Sequence, residues 1–208
     1  MENYKTALNI CNLKLSTKIL TKINEERLRM FLCRTPSFTK RTKNMITLRQ
    51  DYVFTIFNNG HINITKVKSK SGVRDAVKSI LSILHKFDPC IVLDVVHLDN
   101  ITATTRYCWN KTKLLHIDLY ELISLLHKHD NPIIFQSNIR FNPEIFPAAY
   151  LTTGRGTCCL FSSGAVNFVG FKTIDMLNKV FYILKEVYYH LIGHQAYLHE
   201  SFRQVPRV

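Results

Sequence analysis

Two stretches of the chain carry the same alternation of apolar and polar positions, each followed by the same helical stripe. In residues 157–161 (TCCLF) and 165–169 (AVNFV) the pattern has the two-residue period of a strand, and Ser162, Ser163 and Gly164 between them have hairpin-turn chemistry. Over residues 173–191 apolar side chains recur at three- and four-residue steps: Ile174, Leu177, Val180, Phe181, Leu184, Val187 and Leu191. That spacing predicts a helix with a stripe wide enough to cover a sheet. Residues 51–87 repeat the grammar. Phe57 corresponds to Phe161, Gly60 to Gly164, Asn63 to Asn167 and Lys68 to Lys172, at one offset of 104 positions. A constant offset through turn, strand and helix marks an internal duplication.

The rest of the chain fills in two similar halves. Residues 7–15 alternate as a strand around Asn12, and residues 23–31 read as a helix with Asn24 as its cap and Glu25 and Glu26 at the positive end of its dipole. Pro36 stops that helix, and residues 37–43 (SFTKRTK) read as a basic connector. Residues 45–49 and 52–57 predict a hairpin across Gln50 and Asp51, the Asn58-Asn59-Gly60 turn follows, and 61–67 is the next strand. The helix over 71–87 has an inner stripe of Val73, Val77, Ile80, Leu81 and Leu84. Asp88-Pro89 is the border between halves. A strand-like run over 91–103 opens the second half, and a helix over 114–128 ends before Asp130-Asn131-Pro132. Asn12 and Asn100 stand 88 apart, so about 16 residues are inserted between Asn100 and Phe146, around Leu114 and residues 133–138. After Leu191 no clear pattern continues. The expected organisation is therefore one repeat over 1–88, a second over 89–192 and a tail over 193–208.

Strand runs with a long helix segregated to one side define an α+β fold. Strand parity separates two faces. Tyr52, Phe54 and Ile56, Ile62 and Ile64, Cys158 and Leu160, and Val166 and Phe168 belong against the helices. The opposite set holds Phe57, Phe161, Asn63 and Asn167. Asparagine is unfavourable in mid-strand. Its recurrence at the same place in both halves suggests a face that contacts something.

Composition narrows the partner. The 208-residue chain has a formal net charge of +13, which favours phosphate-rich partners. No apolar run approaches the roughly 20 residues of a membrane span. The start, MENYKTALNI, lacks a signal pattern, so the chain reads as intracellular and the sequons at Asn63, Asn100 and Asn110 as chance matches. The six cysteines form no CxxC pair and read as reduced core or sheet residues. His190 and His194 have i, i+4 spacing but no HExxH motif, so neither a metal nor any other cofactor is expected.

The duplicated unit, above all NPEIF followed by LFSSGAVNFVGFK, resembles the TATA-binding-protein family, whose motif is roughly YEPELFPG, a hairpin, IFxSGKxVxTGAK and a helix. The resemblance runs from about Asn12 to Leu191 and is stronger in the second half. It implies a pseudo-twofold saddle of two tandem repeats, a curved antiparallel sheet with helices on the convex face. The concave face would sit on the minor groove of double-stranded, A·T-rich promoter DNA, with phenylalanine pairs wedged between base steps. Phe146 and Phe161 match the wedge pair of the second half, and Phe57 the inner wedge of the first. The outer position there falls on Thr42, in KRTKN where the family has KRFAA; Phe38 is four residues out of register. Asn12 and Asn100 match the asparagines that hydrogen-bond bases, and Lys68 and Lys172 the lysines that contact phosphate. Asn63 and Asn167 stand where the family has valine; Thr65 keeps its threonine and Val169 does not. Thr55 and Cys159 replace leucines, and Lys14 and Thr102 replace apolar contacts. The face is more polar than the family's, which implies relaxed sequence preference and salt-sensitive binding.

The leading reading is a transcription initiation factor that binds and bends promoter DNA in the nucleus and recruits general transcription factors or RNA polymerase subunits. The second is a protein-interaction subunit on the same fold that no longer bends DNA. No paired carboxylates, nucleophile–base set or metal motif supports catalysis, and no membrane partner is expected. The abundance of Asn, Lys and Ile suits an AT-biased genome such as that of a large DNA virus.

Overall fold

The structure, a computed structural model, describes residues 6–107 and 116–203. Among the described residues it contains ten strands. The chain divides into two compact units, residues 10–101 and residues 1–9 with 102–208.

In the first unit β1 (Asn9–Lys18) leads into α1 (Glu25–Cys33), then β2 (Phe38–Arg41), β3 (Met45–Arg49), β4 (Val53–Phe57), β5 (His61–Val67) and α2 (Lys70–His85). Asn24 caps α1 as expected, accepting from the Arg27 N–H at 3.0 Å. The basic connector is instead β2, an edge strand paired with β3. Its lysine and arginine suit an edge, where charge discourages pairing with another chain. Alternation buries Ile46, Leu48, Phe54, Ile56, Ile62 and Ile64 beneath α1 and α2. Each such side chain contributes about 1.5–3 kcal/mol by leaving water. The buried stripe of α2 is rotated from the expected one: Gly72, Ala76, Ile80, Ile83 and Leu84 are buried, while Val73, Val77 and Leu81 flank them. Small residues let the helix axis approach β5, and a hydropathy pattern gives them too little weight.

The strands of the first unit are neighbours in the order β2-β3-β4-β5-β1. The second unit repeats the element order with one short helix added. β6 (His97–Arg106), whose first residues belong to the first unit, is followed by α3 (Leu119–His127), the short α4 (Pro132–Phe135), β7 (Asn138–Arg140), β8 (Ala148–Thr153), β9 (Gly156–Phe161), β10 (Ala165–Phe171) and α5 (Ile174–Arg203). The strand-like run expected from residue 91 begins only at His97, and Val95 is exposed. α3 starts later than expected because Asp118 caps it, accepting from the Tyr120 N–H at 2.8 Å. Residues 114 and 115 of the expected helix lie outside the described residues, as do Cys108 and Asn110. α5 continues past Leu191 because a single glycine, Gly193, costs only about 1 kcal/mol in a helix and the next proline is Pro206. Phe168 and Phe181 rings meet at 6.5 Å, and Tyr107 stacks on Tyr188 at 4.6 Å, joining the strands to α5.

One pair of hydrogen bonds displays the duplication. The Ile19 N–H donates to Gly60 O at 3.0 Å and the Tyr107 N–H to Gly164 O at 2.8 Å. Both acceptors are turn glycines at positive φ, 81° and 75°. Gly164 has a second constraint, since a Cβ there would lie 2.0 Å from Tyr107 O.

Candidate nucleic-acid interface

In each unit the strand face opposite the helices is open. In the first it carries Thr47 on β3, Thr55 and Phe57 on β4, and Asn63 and Thr65 on β5, all half-buried. In the second it carries Tyr150 on β8, Cys159 and Phe161 on β9, and Asn167 and Val169 on β10. The parity expected from the sequence holds at these positions.

The aromatic positions differ between units. Phe146 is 39% exposed, lies in the β7–β8 loop and meets Phe161 edge-on at 6.1 Å and Tyr150 in a stacked arrangement at 5.5 Å. Two carbonyl hydrogen bonds shape this loop, from the Ile145 and Phe146 N–H groups to Asn142 O. Ile145 beside it is 81% exposed. Phe57 instead faces Met45 across the strands. Phe38 is opposite Leu48, a core residue, so it belongs to the helix side of the sheet and supplies no ring to the open face. Thr42 is held through its backbone. Arg29 of α1 donates from Nη2 to Thr42 O at 3.0 Å and from Nη1 to Lys43 O at 2.8 Å and to the Asn58 side chain. Asn58 Nδ2 donates to Lys43 O at 3.1 Å. The guanidinium fork therefore ties the β2–β3 loop to the β4–β5 turn.

Asn12 and Asn100 occupy the same position in β1 and β6 by burial pattern, half-buried one residue before Leu13 and Ile101. Asn12 Oδ1 accepts from the Lys66 N–H at 2.6 Å, which leaves Nδ2 to donate outward. Among the described residues the side-chain amides of Asn63 and Asn167 bond to no other protein group. Lys68 and Lys172 are exposed. Lys172 shares a surface concavity with Arg155 of the β8–β9 turn, a basic partner that sequence reading did not single out. Nor did it find Asp99, which pairs with Lys14 at 3.8 Å and accepts from Ser16 Oγ at 2.9 Å. Those contacts join residues more than 80 positions apart, and no local spacing signals them. The Cys159 thiol is pushed above its ordinary pKa by burial. Among the described residues no cluster of three His, Cys, Asp or Glu is placed to hold a metal, and no helix is long and apolar enough to cross a membrane. The side chain of His194 lies outside the described residues.

Fold and faces define a two-repeat α+β protein with an open, basic-flanked sheet face in each repeat. The family described as "Transcription factor TFIID (or TATA-binding protein, TBP)" matches residues 7–87. Among solved structures, Methanococcus jannaschii TBP is similar with a TM-score of 0.61 and 20% identity, over 88% of this chain and 98% of that one. No curated protein matches the sequence. The family match covers fewer than half of the residues, and the structural likeness shows that the chain has the fold of a TATA-binding protein.

Proposed function

We propose that the chain is a transcription initiation factor, built from repeats over 1–88 and 89–192, that binds A·T-rich promoter DNA through the minor groove and bends it. The observation that carries this reading is the Phe146–Phe161 pair, two rings 6.1 Å apart on the open side of β9 with the outer ring 39% exposed. Aromatic rings left partly exposed on an open strand face are expensive in water. Inserted between base pairs they unstack one step at a cost of a few kcal/mol, offset by the protein surface that bent DNA covers. Asn12 supports the reading, because its free Nδ2 is a donor and A·T pairs present only acceptors in the minor groove. Lys68, Lys172 and Arg155 supply phosphate contacts. The helices on the other side of the sheet would dock general transcription factors or RNA polymerase subunits, in the nucleus.

The test is a DNA-bending measurement by end-to-end energy transfer on A·T-rich duplexes, with wild type and with Phe146→Ala and Phe161→Ala. Bending by the wild type that both substitutions abolish supports the proposal. The Arg29-tethered Thr42 favours a second reading, a protein-interaction subunit of a transcription or replication complex that no longer bends DNA. On that reading the two substitutions leave DNA affinity unchanged.

A further inference from the structure

The register of the first unit lines up polar side chains at right angles to its strands. Thr47 is opposite Thr55, Thr55 opposite Asn63, and Asn63 opposite Ser16. Ser16 Oγ then donates to Asp99 Oδ1 at 2.9 Å. Among the described residues the side chains of Thr47, Thr55 and Asn63 bond to no other protein group. The corresponding row of the second unit is Tyr150, Cys159 and Asn167.

We propose that the Thr47–Thr55–Asn63–Ser16 row, closed by Asp99, accepts the 2-amino group of guanine, so that the DNA half-site on the first unit admits a G·C pair. This rests on the minor-groove reading above. In that groove A·T and T·A pairs show acceptors alone, and a G·C pair adds one donor, the guanine 2-amine. A hydrocarbon face opposite that amine strips its water and returns no hydrogen bond. The first-unit row returns several acceptors: two threonine hydroxyls, Asn63 Oδ1 and the Asp99 carboxylate. Ser16 donates its proton to Asp99, so its remaining capacity is also to accept. A carboxylate repels the acceptors of an A·T floor and attracts a donor, and Lys14 at 3.8 Å offsets only part of its charge. The second-unit row keeps the Tyr150 hydroxyl and Asn167 Oδ1 as acceptors but has a weakly accepting sulfur where the first has Thr55, and among the described residues no carboxylate is paired with it. Discrimination against guanine is therefore stronger on the second unit.

Inosine isolates the group concerned, because I·C and G·C pairs differ only by the 2-amine. A single I·C or G·C pair is walked through an A·T-rich duplex, and equilibrium binding is measured for wild type, Asn63→Val and the near-isosteric Asn63→Thr. For wild type, replacing I·C with G·C costs about tenfold at positions on the second unit and less than twofold at one or more positions in the other half-site. Asn63→Val restores the penalty at those positions, read as the ratio of I·C to G·C binding for that variant, and Asn63→Thr, which keeps an acceptor, stays tolerant. An equal guanine penalty at every position, or an Asn63→Val loss that is uniform over all duplexes, overturns the inference. Failure of the wild type to bind any duplex overturns instead the DNA-binding reading on which it stands.

Discussion

The Oδ1 atom of Asn12 accepts a hydrogen bond from the backbone N–H of Lys66 at 2.6 Å. Lys66 has φ 69°, and among the described residues it is the non-glycine at positive φ. It sits in a bulge where β1 advances from Leu13 to Leu15 while β5 runs from Val67 back to Ile64. The position 104 residues later is Gly170, φ 84°. The two copies thus share a left-handed backbone position, and one of them carries a side chain there. A lysine there carries about 1 kcal/mol of strain that glycine does not. Lys66→Gly is expected to raise stability by up to about 1 kcal/mol, and Asn12→Ala to lower it by about 1 kcal/mol. Both are measured by thermal denaturation.

Arg29 makes three hydrogen bonds that hold the β2–β3 loop. Arg29→Ala should cost about 1–3 kcal/mol, the value of charge-assisted bonds lost from a half-exposed site. Arg29→Lys should recover little, since an ammonium cannot reproduce the planar fork. Denaturant unfolding of the two variants checks both statements.

The Tyr188 hydroxyl is buried with no hydrogen-bond partner among the described residues, while the Tyr107 hydroxyl beside it donates to Phe181 O at 2.9 Å. A buried hydroxyl without a partner pays a desolvation cost of about 1–3 kcal/mol. Tyr188→Phe is expected to be neutral or stabilising and Tyr107→Phe destabilising, and a difference in melting temperature between the two variants reads this out.

Burial pushes the Cys158 thiol and the Tyr107 and Tyr188 phenols above their ordinary pKa ranges. In the folded state they stay neutral while the unfolded chain ionises. Their contribution to stability is complete below the unfolded thiol value, about 8.5, and is lost as pH rises beyond it, more steeply near the phenol value of about 10. Stability measured by denaturant from pH 7 to 11 should fall along that course, and Cys158→Ala should remove the part that begins near pH 8.5.

Cys159 lies on the open face opposite Tyr150 and Asn167, with its thiol pKa raised by burial. Alkylation at pH 7.5 should be slower there than at the exposed Cys11 and Cys90. An A·T-rich duplex should slow it further while leaving Cys90 unaffected, as peptide mapping by mass spectrometry would show.

Much of this was legible in the chain because strand parity and helical period are local properties. Whether Phe57 or Asn63 faces away from the helices follows from its neighbours alone, since an apolar residue on either side must be buried. The duplication was legible for the same reason, as a constant spacing of turn, asparagine and lysine. Patterning failed where burial is decided by volume rather than hydropathy. Gly72 and Ala76 line the inner side of α2 because they admit close approach to β5, and the valines beside them do not. It failed also at β2, whose lysine and arginine conceal an edge strand.

The sequence by itself determined the α+β class, the two-copy plan and the residues of each open face. Tertiary structure alone decided what those residues are free to do. It occupied the side-chain oxygen of Asn12, left the side-chain amides of Asn63 and Asn167 without a protein partner among the described residues, turned Phe38 toward the core and placed Asp99 beside Ser16 and Lys14. Each of these depends on strand register, which brings together residues far apart in the chain. Register is set by the summed burial of whole strands, not by the spacing of the residues concerned.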